Sequence, residues 1–285
     1  MKYLLKQKQG AVAIAACLFS VSAVHAQMFT MYNAQTGALI SQSSLPTLSG
    51  GAWNGQALPT GNVLDVWTSS GVAAVLLMDP DGSLSSYRMD TGALISDPTA
   101  TTFSNGPRAG QTLAANRNNI IGAITGGGAV LGILDPDGST SHYNGTTLNV
   151  TFNSFPTTLT NGPHAGETFS STLTLNIGEA GSGLIGLDAL LDSDGSISLY
   201  GVTGAVASDP TATTFTWGYL DGQSLASVLG KPGTSTQPGV TYLGIDTLGG
   251  NDYFAFITPV PEPRTIALLS VGGLVAGYHL IRRRK

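Results

Sequence analysis

Pairs of aspartates recur along this chain in short segments that contain glycine. DPDGS occupies residues 79–83 and 135–139, and DSDGS occupies residues 192–196. Carboxylates at alternate positions suit a hard cation such as Ca²⁺, which takes roughly 6–8 oxygen ligands. An initial Asp with Gly at the fourth position is also typical of a type I turn. Because each copy lacks the third ligand and the distal Glu of a full calcium loop, we expect turns and no metal site, with weak calcium binding as the alternative.

The other side chains that could do chemistry are few. His25 and His279 lie in apolar terminal segments, and no HExxH or GxSxG motif occurs. The single cysteine, Cys17, also lies near the N-terminus, so a thiol nucleophile or thiolate metal site in the main body is excluded. His142 lies beside Tyr143 in a predicted strand, and we expect it at the surface. These observations predict no catalytic residue and no cofactor.

The remaining histidine, His164, occupies a position that changes between otherwise similar segments. NGPHAGETF around it corresponds to NGPRAGQTL, so that Arg108 stands in the place of His164, and Trp53 and Leu220 stand there in the two other copies. Such variation within a constant loop could build a sugar-binding rim. The simpler interpretation, which we favour, is a solvated connection between structural units.

These segments belong to a repeat that covers the body of the chain. The Asp-containing segments at 79, 135, 192 and, in the degenerate form DTLGG, 246 are 56, 57 and 54 residues apart. Tyrosines at 32, 87, 143 and 200 keep the same period, as do NGQAL (54–58), AGQTL (109–113), AGETF (165–169) and DGQSL (221–225). Three landmarks in register predict four repeats.

The pattern within each repeat predicts a meander of four short strands. Apolar runs rich in β-branched residues turn at the DPDG segments, continue through the tyrosine and turn again at a Gly. A four-stranded meander at this period is typical of a β-propeller blade, so we predict an all-β, four-repeat propeller-like domain over residues 27–257. The strand DYFAFI (252–257) looks like a fifth copy of the tyrosine strand, which predicts that both ends contribute to one blade. A β-solenoid or paired β-sandwiches are the alternatives.

Charge is distributed unevenly between the body and the ends. Seven of the 12 basic residues lie before residue 9 or after residue 281, whereas all 17 acidic residues lie between Asp65 and Glu262. Residues 27–264 therefore carry a formal charge of −12. A body of this charge repels a phosphate backbone, so we expect no nucleic-acid partner.

Residues 1–26 have the three parts of an export signal. Lysines precede an apolar stretch of roughly 11–24, and small residues end it, with Val24 and Ala26 at the −3 and −1 positions. We predict cleavage between Ala26 and Gln27 by the export machinery. The sequence IAAC around Cys17 also loosely matches a lipoprotein box, in which case Cys17 would be the mature N-terminus.

The C-terminus combines three features in a fixed order. Pro261, Glu262 and Pro263 precede an uncharged segment, 265–281, that is long enough for one transmembrane helix if His279 is neutral, and the basic residues 282–285 follow. Residues 258–264 are then a linker. This arrangement resembles the PEP-CTERM sorting signal of exported proteins of Gram-negative bacteria, except that Arg264 replaces the common Ser or Thr.

The resemblance implies recognition by an exosortase, a membrane protease-transpeptidase that cuts near the PEP motif. The protein would be anchored transiently in the inner membrane and then reach the cell surface or the extracellular matrix. We expect a non-enzymatic binding or structural domain, associated with extracellular polysaccharide. The alternative is a secreted hydrolase that acts on the matrix, with carboxylates near a propeller channel.

Overall fold

The computed structural model describes residues 27–69, 71–125, 129–153, 158–172, 176–180, 187–201, 203–248 and 251–260. The predicted signal peptide with Ala26, the sorting motif 261–263, the apolar segment 265–281 and the basic end 282–285 lie outside these residues. Within the described part, no helix has the length and apolar character needed to cross a membrane.

The regular structure of the described chain is almost entirely β-strand. Its helices are a single α-helical turn, α1 (Leu225–Val228), and 3₁₀ segments at Thr60–Asn62 and Ala114–Asn119. Seventeen strands account for the rest of the regular structure: β1 (Gln27–Asn33), β2 (Leu39–Ser44), β3 (Val63–Ser69), β4 (Val72–Met78), β5 (Leu84–Arg88), β6 (Leu94–Ser96), β7 (Ile120–Thr125), β8 (Ala129–Leu134), β9 (Thr140–Asn144), β10 (Val150–Asn153), β11 (Asn176–Ala180), β12 (Leu187–Leu191), β13 (Ile197–Tyr200), β14 (Val206–Ser208), β15 (Thr234–Gln237), β16 (Val240–Leu248) and β17 (Asn251–Pro259).

The strands form four antiparallel sheets arranged as the blades of a propeller. Blade 1 is β3–β6, blade 2 is β7–β10 and blade 3 is β11–β14, each in sequential order. Blade 4 is β15-β16-β17-β1-β2, so it combines the two ends of the domain. The first strands β3, β7, β11 and β16 contact one another in a closed ring and therefore surround the axis. The predicted four-repeat propeller and its shared closing blade are confirmed.

Closure brings the domain ends together. Strand β1 pairs with β17 over its full length, from Gln27 opposite Pro259 to Asn33 opposite Tyr253. Relative to the other blades, β17 takes the place of the second strand and β1 the place of the third. The gap between Pro259 and Gln27 therefore lies where blades 1–3 have their DPDG or DSDG turn. We call the side of the ring with these turns the turn face.

This register corrects two details of the repeat assignment. DTLGG does not correspond to the DPDG turn, because Asp246 pairs with Tyr253 within the β16–β17 hairpin. The residue of blade 4 that matches Asp79 is Thr258. For the same reason DYFAFI is a second strand, not a fifth tyrosine strand. The DPDG turn was assigned to the wrong residues in blade 4 because this blade has no such turn. The two ends of the domain lie where the other blades have it.

A buried carboxylate, Asp65, lies among the first strands close to the axis. Each first strand has a β-bulge at the same level, and the residues that follow the bulges are Asp65, Gly122, Gly178 and Gly244. The fully buried Asp65 accepts hydrogen bonds from Ala123 N and Val66 N, both at 2.8 Å. A Cβ at Gly244 would overlap Asp65 Oδ1, and Gly244 also has φ +143°, so both space and conformation require glycine there.

Candidate functional site

The four sequence positions that vary between repeats converge on equivalent places in the fold. Before each blade, the connecting loop runs along the outer strand and returns to the turn face. It then places one side chain against the blade. We call these side chains the loop residues: Trp53 in blade 1, Arg108 in blade 2, His164 in blade 3 and Leu220 in blade 4. All four are buried, with at most 9% of their surface exposed.

The repeated tyrosines hold the loops in this position. We call them the anchor tyrosines: Tyr87, Tyr143, Tyr200 and Tyr32 in blades 1–4. The backbone N–H of each loop residue donates to the hydroxyl of its anchor tyrosine, at 3.4, 3.2, 3.1 and 3.2 Å. In two blades the tyrosine hydroxyl itself donates to a loop carbonyl, Gly50 O or Asn161 O. Burial raises the pKa of all four phenols.

In blade 1 the loop residue contacts the first aspartate of the turn. Trp53 Nε1 donates to Asp79 Oδ1 at 2.6 Å, and Ser85 Oγ donates to the same oxygen at 2.5 Å. Burial nevertheless raises the pKa of Asp79, and the hydrogen bonds from Ser85 and Trp53 offset this only in part. Ser83 Oγ also lies 3.5 Å from Asp79 Oδ2, so the site is a buried carboxylate held by neutral donors.

Blade 2 replaces the indole with a cation. Arg108 Nε lies 3.2 Å from Asp135 Oδ1, and the guanidinium also donates to Asn116 Oδ1 at 2.7 Å and to Leu134 O. Ser141 Oγ donates to Asp135, as Ser85 does to Asp79. Because Arg108 and Asp135 are both buried, this is a desolvated ion pair with additional hydrogen bonds on the cation.

Blade 3 has a histidine between two carboxylates. His164 Nε2 lies 2.9 Å from the buried Asp192, and Nδ1 lies 3.1 Å from the exposed Glu167. Ser198 Oγ donates to Asp192 Oδ2 at 2.8 Å. The serine contacts the carboxylate, not the imidazole, so the three groups lack the nucleophile–base contact that a catalytic triad needs. A cavity of about 280 Å³ lies beside His164, Glu167 and Asp192.

Blade 4 has uncharged side chains at the loop position and at the aspartate position. Leu220 occupies the loop position and Thr258 the aspartate position, and both are fully buried. Thr258 Oγ1 lies 2.8 Å from Thr30 Oγ1, where Thr30 matches Ser85, Ser141 and Ser198. A side chain that can donate therefore contacts the aspartate in blades 1–3. In blade 4 the two equivalent positions hold a leucine and a threonine.

The second aspartate of each turn accepts hydrogen bonds from the serine two residues later in the chain. Ser83 donates both its N–H and its hydroxyl to Asp81 Oδ1, at 2.9 and 2.6 Å, and Ser139 and Ser196 do the same to Asp137 and Asp194. These bonds lower the pKa of the three exposed carboxyls. Gly82 N donates to Asp79 O at 2.9 Å and has φ +86°, so the turn prediction is confirmed. Among the described residues, His, Cys, Asp and Glu form no group of three that could hold a metal ion.

Two expectations about the histidines and loops were wrong. His142 is only 1% exposed and packs on Phe152, with ring centroids 5.7 Å apart. His164 lies inside as well. Blades pack face to face, so both faces of a strand are buried, and alternation along one strand does not identify a solvent side. The loop residues form neither a solvated connection nor an open sugar-binding rim, because each points onto its own blade.

The contacts between the loop residues and the turn aspartates, and the place of Asp65 near the axis, were not predicted from the sequence. The sequence does contain a signal for the contacts with the aspartates. The repeat with Leu220 at the loop position is also the repeat that lacks a DPDG or DSDG segment. No equivalent signal marks Asp65, whose position is Gly in the three other repeats. The predicted processing residues other than Gln27 lie outside the described part of the chain.

Comparisons with known proteins add little to this picture. No protein-family model matches the chain, and no curated protein matches it. Among solved structures it is similar to the computationally designed Ika4 protein, with 12% identity over 76% of this chain and 98% of that one and a TM-score of 0.24. The designed Ika8 protein gives 14% identity, 80% and 54% coverage and a TM-score of 0.22. TM-scores this low carry no statement about fold or function.

Proposed function

We propose that this chain is an exported cell-surface or extracellular-matrix protein, sorted by an exosortase, whose propeller is a non-enzymatic binding and structural domain. One observation carries the proposal: the two ends of the propeller pair with each other, Gln27 opposite Pro259. The predicted signal cleavage after Ala26 and the Pro261-Glu262-Pro263 motif both lie immediately beyond this pair. Either cut would therefore leave the closing blade intact.

The position of the ends also gives the anchored protein an orientation. Both ends lie where the other blades have their turn, so the C-terminal segment leaves from the turn face. With a short linker before the apolar residues 265–281, the turn face would be directed towards the bilayer while the protein is anchored. The opposite face, with the turns between third and fourth strands, would be directed outwards.

The contacts of the loop residues support a non-enzymatic role. Trp53, Arg108 and His164 are the side chains of the turn face that were best suited to catalysis or sugar stacking, and each is buried on its own blade. Each contacts the turn aspartate of its own blade, Asp79, Asp135 or Asp192. They therefore stabilise the loops. Asp65, the carboxylate at the axis, is enclosed by the four first strands.

The sorting route can be tested by replacing Pro261-Glu262-Pro263 with three alanines. Membrane insertion depends on the apolar segment and the terminal cations, so the variant should insert normally. Release should fail, and the full-length protein should accumulate in the membrane fraction of a strain that has an exosortase. Pro98→Ala, in the loop before blade 2, is a matched control and should be released normally.

Two results would contradict the proposal. Equal release of the triple-alanine variant and the unaltered chain would mean that the motif is not read. Equal release in a strain that lacks its exosortase would mean that another protease sheds the domain. Hydrolysis of matrix polysaccharide by the purified chain would favour the secreted-hydrolase alternative for the propeller, without affecting the sorting route.

A further inference from the structure

Features that recur in every blade are explained by the fold, so a polar feature that occurs once needs another explanation. The loop residues and the anchor tyrosines recur in all four blades, and the turn aspartates recur in three. Arg117 and Lys231 do not. Arg117 lies in the 3₁₀ segment Ala114–Asn119, directly before the first strand of blade 2. Lys231 lies in the segment that leads into β15, a strand of blade 4 without a counterpart in the described parts of the other blades.

Arg117 and Lys231 line the same cavity on the turn face, close to the axis. The cavity has a volume of about 270 Å³ and lies where β3, β7 and β15 begin, between blades 1, 2 and 4. None of the described residues that line it is acidic. These lining residues are Gly61, Val63, Leu64, Arg117, Asn118, Ile120, Lys231, Pro232, Gly233 and Thr234.

The two cations differ from the other basic residues of the described chain. Arg88 forms an ion pair with Asp90 at 2.7 Å, and Arg108 forms one with Asp135. Arg117 instead donates to the backbone carbonyl of Gly61, and Lys231 Nζ donates to Asn118 O at 3.0 Å. These contacts fix both side chains at the cavity wall. Each uses one donor, whereas a guanidinium has five N–H groups and an ammonium has three.

The charge and size of the cavity limit the ligand. Two cations that line one cavity, in a body of formal charge −12, form a local positive site, which suits one anionic group, while the surrounding charge repels a long polyanion. The volume is near the lower end of the roughly 300–1,000 Å³ usual for small-molecule sites. The Asn118 amide, the Thr234 hydroxyl and the backbone groups of the wall can also hydrogen-bond hydroxyl groups.

We propose that this cavity binds one acidic sugar residue, with its carboxylate held by Arg117 and Lys231. Arg117 offers the planar pair of donors that matches a carboxylate, and Lys231 adds a second positive charge. Asn118 and Thr234 contact the sugar hydroxyls. This inference rests on the proposed function in one respect, the choice of a saccharide as the source of the carboxylate. The cation pair itself is independent of that choice.

The test is isothermal titration of the purified full chain in detergent with galacturonic acid, with glucose as the neutral sugar and sodium sulfate as the simple anion. We expect galacturonic acid to bind at least about tenfold more tightly than either control. Lys231→Gln should weaken its binding by roughly 10-fold to 100-fold, the usual value of a charge-assisted hydrogen bond. Lys231→Arg should retain most of the affinity.

Arg88→Gln is the matched control, because it removes the same charge at the far end of blade 1 and should leave binding unchanged. Arg117→Gln should weaken binding as Lys231→Gln does, provided that its melting temperature matches that of the unaltered chain. Three results would overturn the proposal: absence of galacturonic acid binding, equal binding of sulfate, or equal loss in Arg88→Gln. None of them would affect the sorting assay, so the two proposals can fail separately.

Discussion

In blades 2 and 4 the loop packs on the sheet at the same place, with an ion pair in blade 2 and uncharged side chains in blade 4. In blade 2 the loop contacts the sheet through the ion pair of Arg108 and Asp135, both buried. In blade 4 the same place is occupied by Leu220 above Thr258, which pairs with Thr30. The anchor tyrosine makes the same contact in both blades, with N···O distances of 3.2 Å. The loop position therefore does not require a charge, and each carboxylate in the sheet is contacted by a loop side chain that can donate.

The largest expected effect comes from breaking the blade 2 pair on one side. Asp135→Thr leaves the buried guanidinium of Arg108 without its counter-charge, which should cost roughly 3–5 kcal/mol of unfolding free energy. Adding Arg108→Leu gives blade 2 the residues of blade 4. Because a buried ion pair can often be replaced by apolar residues at little cost, the double variant should recover most of the loss. Urea unfolding of both variants measures the difference.

The matched control adds a carboxylate to blade 4, whose loop residue cannot donate to it. Thr258→Asp buries a carboxylate that keeps the Thr30 hydroxyl as a donor but receives none from the loop residue Leu220, so it should also destabilise the protein by several kcal/mol. The comparison would fail if the Arg108→Leu, Asp135→Thr double variant were as unstable as Asp135→Thr alone. It would then be the arginine's bonds to Asn116 and Leu134, not the balance of charge, that blade 2 requires.

An intermediate effect is expected from the feature that the two blades share. Tyr143→Phe removes the acceptor of Arg108 N–H, and Tyr32→Phe removes the acceptor of Leu220 N–H. A buried donor without a partner costs about 1–3 kcal/mol, and because the geometry is the same, both variants should lose a similar amount. Urea unfolding tests this directly. A loss in one blade more than twice that in the other would show that the anchor depends on the residue it holds.

The smallest effect concerns blade 1, where the carboxylate of Asp79 faces neutral donors. Burial raises the pKa of Asp79 above its ordinary value of 3.8. The folded protein therefore holds this proton more tightly than the unfolded chain, and the contribution of Asp79 to stability falls as pH rises from about 3.8 through the folded pKa. Asp79→Asn removes this dependence.

The measurement is unfolding free energy of the unaltered chain and Asp79→Asn across the range from pH 3 to 7. Asparagine changes the hydrogen bonds by a constant amount, so the difference between the two proteins isolates the titration of Asp79. We expect the asparagine variant to gain stability relative to the unaltered chain as pH rises through this window. A difference that stays constant, or that changes in the opposite direction, would contradict the assigned effect of burial.

Much of the fold could be predicted from the sequence because the same pattern occurs in each repeat. Four strands in each unit were predicted from the tyrosine period, the DPDG segments and the apolar runs. The apparent fifth copy of the tyrosine strand predicted that both ends close the ring. The fourth copy was misplaced at Asp246 because only pairing, Gln27 opposite Pro259, shows where the chain crosses blade 4. Strand pairing between residues more than 200 positions apart leaves no local pattern.

The candidate site was predicted less well, for a related reason. The sequence by itself determined the turns at Asp79, Asp135 and Asp192, because turn geometry depends on neighbouring residues such as Gly82. Only the tertiary structure decided that the loop residues point inwards, since burial depends on the facing blade and not on the polarity of a side chain. Likewise, Arg117 and Lys231 are more than 100 residues apart in the chain and share one cavity because the first strands meet around the axis.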